Sequence, residues 1–124
     1  MAVRPEYRDY VLEQLAGLGG LTFRPMFGGV GLYSDELFFG LIAQDTLYLR
    51  ADEHNRADFT ARNMAPFQPY ADRPLLSLTY YATPAEVLED PEQLSAWARR
   101  SVAAARRAPA PRRRRSRAGP RRTA

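Results

Sequence analysis

The chain of 124 residues contains no cysteine and no lysine, and its only histidine is His54. The missing cysteine excludes disulfides, thiolate catalysis and cysteine-ligated zinc. Asp58 lies four residues after His54, the spacing of one helical face, but two such ligands alone would hold a metal weakly. His54 therefore reads as an exposed helical histidine, and no metal is expected. No apolar run approaches the ~20 residues of a membrane span. Residues 1–11 are charged and lack the apolar stretch of a signal peptide, so the expected compartment is the cytoplasm, with no membrane partner.

Serines are few (Ser34, Ser77, Ser95, Ser101, Ser116), and none sits in a nucleophile-elbow context. No nucleophile, base and orienting group can be assembled from the inventory, and no cofactor fingerprint is present. The expectation is a protein that is not an enzyme and carries no cofactor.

What is present is divided by charge. Residues 106–124 hold nine arginines and no acid, whereas residues 1–105 hold nine arginines against fourteen carboxylates. The net charge of +4 thus conceals a body near −5 and a C-terminal segment near +9. The body, 1–105, has the length of one domain with one core. The segment 106–124 combines its arginines with Pro109, Pro111 and Pro120 and almost no bulky apolar side chain, a composition expected to be disordered in the free protein.

Periodicity sketches the body. Pro5 suits the first turn of a helix, and Tyr7, Tyr10, Val11, Leu15 and Leu18 follow as one stripe before Gly17, Gly19 and Gly20 end it. Thr22–Phe27, Val30–Tyr33, Leu37–Ala43 and Thr46–Arg50 read as extended segments of an antiparallel meander. Leu37–Ala43 is apolar on both faces, which predicts a central or doubly covered strand. A short helix is expected over Glu53–Arg62, then a proline-rich loop over Met64–Arg73 and a strand over Leu75–Tyr81. Thr83-Pro84-Ala85-Glu86 and Asp90-Pro91-Glu92-Gln93 both carry helix-start signals. The last helix, with Leu94, Trp97, Ala98, Val102 and Ala105 on one face, is expected to end near Ala105.

The run Met26-Phe27-Gly28-Gly29-Val30-Gly31-Leu32-Tyr33 resembles the opening signature of the TfoX N-terminal domain family, bacterial proteins that include regulators of natural competence. The resemblance continues through Leu47-Tyr48-Leu49-Arg50-Ala51-Asp52, Pro66-Phe67, Tyr80-Tyr81, and Glu89-Asp90-Pro91-Glu92 with Trp97. It covers roughly residues 8–105. It implies an α+β domain of two layers, an antiparallel sheet with helices on one side, in the order α-β-β-β-α-β-α. It also implies a transcriptional co-regulator that works with a DNA-bound activator. Family members acting in competence usually carry a second domain where this chain has its arginine-rich segment.

Each constellation has a plain reading beside a functional one. Arg106, Arg107, Arg112, Arg113, Arg114, Arg115, Arg117, Arg121 and Arg122 could neutralise DNA phosphates, since guanidinium grips phosphate bidentately. Nine engaged contacts would give a log–log salt slope of about −8, with no base reading. The segment could equally be a solvated tail, or fold back on the acidic body. Gly28, Gly29 and Gly31 lack the Lys-Ser/Thr of a phosphate loop, so a bulge, a positive φ or close strand packing explains them. Asp52, Glu53 and Asp58, and likewise Glu89, Asp90 and Glu92, suit the starts of helices. Arg50 is expected to pair with Asp52 or with a partner's carboxylate. Of Tyr80 and Tyr81, on opposite faces of one strand, one should be core; the other, with Tyr48, could form an aromatic contact surface. The expected protein partner is a transcription activator or polymerase, and the alternative is a homodimer that uses a sheet edge or that aromatic surface without nucleic acid.

Overall fold

The computed structural model describes residues 3–26, 28–67 and 79–108. Its elements are α1 (Pro5–Gln14), β1 (Leu21–Met26), β2 (Gly29–Ser34), β3 (Leu37–Ala43), β4 (Thr46–Arg50), α2 (Arg56–Thr60), β5 (Tyr80–Ala82), α3 (Ala85–Leu88) and α4 (Pro91–Arg107). The strands form one antiparallel sheet in chain order, β1-β2-β3-β4-β5. The α+β class and the one-sided helix layer agree with the sequence. The order contains one strand and one helix more than expected. Gly28, at φ 76°, closes β1 and β2 into a hairpin instead of merely interrupting one strand. Asp90 and Pro91 divide the closing helical region into α3 and α4.

The two tight turns fall in the gaps between the extended segments expected at Val30–Tyr33, Leu37–Ala43 and Thr46–Arg50. Asp35 and Glu36 (φ 48° and 69°), and Gln44 and Asp45 (φ 52° and 55°), occupy the left-handed region at both central positions. That pattern matches the twist of the flanking strands in two-residue hairpins. β3 is the middle strand and is covered on both faces. Between Leu32↔Gly40 and Tyr33↔Phe38 the register slips, leaving Phe39 as an extra residue. This bulge lets Phe39 and Ile42, three residues apart, both enter the helix-side core. That core joins Val11 of α1 and Leu15 just after it, Phe59 of α2, and Leu94, Trp97, Ala98 and Val102 of α4 to Leu32, Leu47, Leu49 and Tyr81 of the sheet.

A smaller cluster lies on the other face: Leu41, Ala43 and Tyr80 beneath Phe67, with Phe38 and Tyr48 half-buried beside it. Phe67 is held there because residues 65–67 run alongside β5, its N–H donating to the Tyr80 carbonyl at 2.8 Å. Tyr80 and Tyr81 do point to opposite faces, but both are buried, which corrects the expectation that one is exposed.

Helix starts divide the two capping signals. Asp90 caps α4, accepting from the Glu92 and Gln93 amides at 3.1 and 3.3 Å. The Gln93 side chain, whose Nε2 donates to Asp90 Oδ2 at 2.9 Å, does most to hold that carboxyl below the usual range, and the two amides add to it. Thr83 does not cap α3. Its N–H continues the sheet by donating to the Leu47 carbonyl at 2.9 Å, and Pro84 takes the N-cap position. Glu53–Asn55 form a turn before α2, so the exposed His54 lies outside the helix.

Two of the motif glycines act through space. A Cβ on Gly29 would press into the backbone carbonyl of Ile42, whereas one on Gly31 would meet the Met26 thioether at 3.0 Å and the Phe38 ring at 3.2 Å. Gly29→Ala must therefore spread β2 from β3 and is expected to cost about 1–3 kcal/mol. Gly31→Ala should cost less, because the Met26 side chain can yield. Thermal melts of the two variants check the ranking.

Candidate functional site

The residues singled out in the sequence do not converge. Met26, Gly28, Gly29 and Gly31 form the β1–β2 hairpin at one edge of the sheet, while Tyr48 and Arg50 lie on β4 toward the other. Tyr48 packs on Phe67 with ring centroids 4.9 Å apart. Trp97 is buried with its ring edge-on to Phe59 at 5.0 Å, and the guanidiniums of Arg62 and Arg100 lie over it at 5.1 and 5.7 Å. Phe27 and Arg112, Arg113, Arg114, Arg115, Arg117, Arg121 and Arg122 lie outside the described residues.

Arg106 and Arg107 are part of the fold. α4 runs two residues beyond its expected end and stops at Ala108, which is extended (φ −64°, ψ 148°). The cause is local. Ala108 precedes Pro109, and a residue before proline is driven out of the helical region. On α4, Arg100 and Arg107 stand two turns apart and meet two acids of the β4–α2 region. Arg100 Nε donates to Asp58 Oδ2 at 3.0 Å. Arg107 forms a two-point fork with Asp52, Nε to Oδ2 at 2.7 Å and Nη2 to Oδ1 at 3.0 Å.

Asp52 and Asp58 thus pair across the fold, beyond the helix-start role expected of them. Arg50 is not the partner of Asp52. Its Nη1 lies 3.3 Å from the Tyr80 hydroxyl, and its guanidinium sits 5.7 Å from the centre of that ring.

Asn55 makes this arrangement possible and was not singled out in the sequence. It is buried, its Nδ2 donates to the Arg50 carbonyl at 3.0 Å, and its Oδ1 accepts from the Asp52 amide at 2.7 Å. These bonds fold the chain between β4 and α2 into a fixed turn. An asparagine five residues beyond a strand end is the only hint the sequence offers, and asparagine is common in turns.

The turn, Thr79 and the end of α4 enclose a shallow cleft of about 290 Å³, lined by Arg50, Ala51, Asp52, Arg56, Thr79, Ala104, Arg107 and Ala108. A second cleft of about 310 Å³ lies between the α1 end, the β2–β3 turn and α4, and includes Asp35, Arg99 and Arg106. In the first cleft, hydrogen bonding from Arg107 is the main cause that lowers the Asp52 carboxyl to about 2. The shift has a testable sign. Stability from the pair is complete above the ordinary carboxyl value of 3.8 and is lost as pH falls toward 2. Asp52→Asn is therefore expected to melt below the wild type at pH 7, and the gap should close between pH 4 and pH 2.

The TfoX N-terminal domain family matches residues 13–105, about three quarters of the chain. The chain belongs to the TfoX N-terminal domain family. Membership implies a competence-related regulatory role. No curated protein sequence matches the chain. The matched region ends at Ala105, so the Arg107–Asp52 fork adds a residue beyond the family domain to its fold. Among the described residues of this TfoX-family domain, no helix is long and apolar enough to cross a membrane.

Proposed function

We propose that the protein is a non-enzymatic, cytoplasmic regulator of transcription. Its α/β body binds a protein partner, an activator or polymerase, and its arginine-rich C-terminal segment binds the DNA backbone. The charge division supports this reading. Once Arg106 and Arg107 are counted with the body, residues 1–108 hold eleven arginines against fourteen carboxylates, and residues 109–124 hold seven arginines and no acid. A net −3 body and a +7 segment suit different partners, one recognised by shape and one by phosphate charge.

The test is affinity capture from the native bacterium with and without nuclease. Proteins that remain after nuclease are held by the body, and those released are held through nucleic acid. Loss of every partner on nuclease treatment would remove the protein-binding half, and a capture free of nucleic acid would remove the other.

A homodimer without nucleic acid is the second reading, supported by β1. That strand is the outer strand of the sheet, exposed along most of its length, with Phe23 45% exposed. Pro25 and Arg24 on the same strand oppose edge pairing, which is why this reading ranks second. Light scattering of the full chain distinguishes the two: a defined dimer in nuclease-treated protein favours the β1 edge.

A further inference from the structure

We propose that the sheet face opposite the helices binds an acidic, extended segment of a protein partner, with two carboxylates of that segment meeting Arg24 and Arg50. This role rests on the protein-binding half of the function proposed above. The five strands contain two arginines and no acid; the carboxylates of this part of the chain, Asp35, Glu36 and Asp45, all lie in turns. Both arginines stand on the helix-free face. The Arg24 guanidinium lies 4.8 Å from the centre of the Tyr33 ring. That of Arg50 lies 5.7 Å from the centre of the Tyr80 ring, with Nη1 3.3 Å from its hydroxyl. Between the two arginines the rings are continuous, Tyr33 to Phe38 at 5.2 Å and Phe38 to Tyr80 at 5.5 Å. Neutral partners thus orient both guanidiniums without cancelling their charge. Among the described residues, neither meets a carboxylate within ion-pair distance. On a body of net negative charge, this face is locally cationic.

Geometry selects the ligand. β1 and β4 are three strand spacings apart, about 14 Å. Each guanidinium leans one strand further in the same direction, Arg24 onto Tyr33 of β2 and Arg50 onto Tyr80 of β5, so the two charges keep that separation. An extended chain rises about 3.4 Å per residue, which sets carboxylates at i and i+4 the same distance apart. The strip between the arginines is one ring wide, and Phe67 stands over Tyr80 at its side. Such a strip suits an extended chain better than a helix about 10 Å across. Apolar side chains between the two acids meet Tyr33 and Phe38, which are half-buried. Single-stranded nucleic acid fits less well. Bases stack on open ring faces, and both tyrosines already have a guanidinium against the ring.

The experiment uses the full chain, the double variant Arg24→Gln/Arg50→Gln, and Arg24→Gln alone as the milder change at an exposed residue. Each is titrated with the end-capped peptide Glu-Thr-Val-Thr-Glu, with its Gln-Thr-Val-Thr-Gln counterpart, and with a short oligodeoxythymidine. The amides of Arg24, Tyr33, Phe38 and Tyr80 are followed by NMR, which separates this face from any contact of the C-terminal arginines. The expected result is a saturating shift at these amides with the acidic peptide. It should be about tenfold weaker with the glutamine peptide or in the double variant, and about threefold weaker in the single, as for two exposed ion pairs. Equal response to the two peptides, or none at these amides, overturns the site. A stronger response there to oligodeoxythymidine than to the acidic peptide overturns the protein assignment in favour of single strands. Affinity capture repeated with the double variant keeps this inference apart from the function it rests on. Protein partners that survive nuclease and are held equally by the double variant leave the proposed function standing and overturn this face as their docking site. If no protein survives nuclease with the wild type, the proposed function fails, and the peptide arm still decides whether the face takes an acidic segment.

Discussion

Replacing Arg112, Arg113, Arg114, Arg115, Arg117, Arg121 and Arg122 with glutamine is expected to flatten the salt dependence of duplex binding by up to about 6 log–log units. Seven phosphate contacts at ~0.9 released counterions each set that ceiling. The intact chain should lose on the order of 10³-fold in affinity between 50 and 200 mM salt. The glutamine variant, retaining only the body, should lose little. Base sequence should not matter, because backbone contacts carry no sequence information. The variant should melt at the wild-type temperature, since the helix-side core lies within residues 11–102. An affinity that is the same in both proteins and indifferent to salt would remove the segment from DNA binding.

Replacing Trp97 with alanine is expected to cost about 3–5 kcal/mol, the range for large aromatic truncations in a core. Trp97 is the hinge of the helix layer. Its ring edge meets Phe59 of α2, and Phe59 in turn stacks on Tyr81 of β5 at 5.5 Å. Its indole is also flanked by Arg62 and Arg100, whose carboxylate partners are Glu86 at 3.6 Å and Asp58 at 3.0 Å. Removing the indole therefore opens a cavity and releases two guanidiniums that the indole aligns. Against a typical domain stability of about 5–15 kcal/mol, such a loss should leave the domain near its unfolding midpoint at growth temperature. Urea denaturation gives the value. A loss below about 1 kcal/mol would mean that α2 and α4 are held by other contacts.

The parts of the fold legible in the sequence are those set by short-range rules. Pro5 begins α1, the doubly apolar β3 is the middle strand, the Asp35-Glu36 and Gln44-Asp45 turns close hairpins, and Asp90 caps α4. Each depends on neighbours within a few residues. The misses depend on pairing at long range. Arg107 meets Asp52 across 55 residues, and Arg100 meets Asp58 across 42. Nothing in a linear charge pattern says which cation of a helix will face which acid of a turn. Counting Arg106 and Arg107 with the C-terminal segment follows from composition alone, although Pro109 marks Ala108 as the helix limit. Tyr80 is buried because Phe67 comes to lie over it, a contact that residue types alone do not specify.

The same distinction organises the candidate site. The arginines that end α4 belong to the body, one of them locked to a carboxylate held in place by Asn55. The chemistry of the arginines from Arg112 onward is that of charge density, seven cations with no acid among them. Helical and C-terminal arginines should therefore differ in how they respond to a polyanion, although the residue type is the same.

The most direct measurement is a single NMR titration of the full chain with a short duplex, read at the arginine side-chain Nε–H resonances. The predicted result is that Arg112, Arg113, Arg114, Arg115, Arg117, Arg121 and Arg122 shift together, while Arg100 and Arg107 stay in place with their carboxylate partners. Movement of Arg107 with the rest, or no movement among the seven, would contradict the division between a folded body and a phosphate-binding segment.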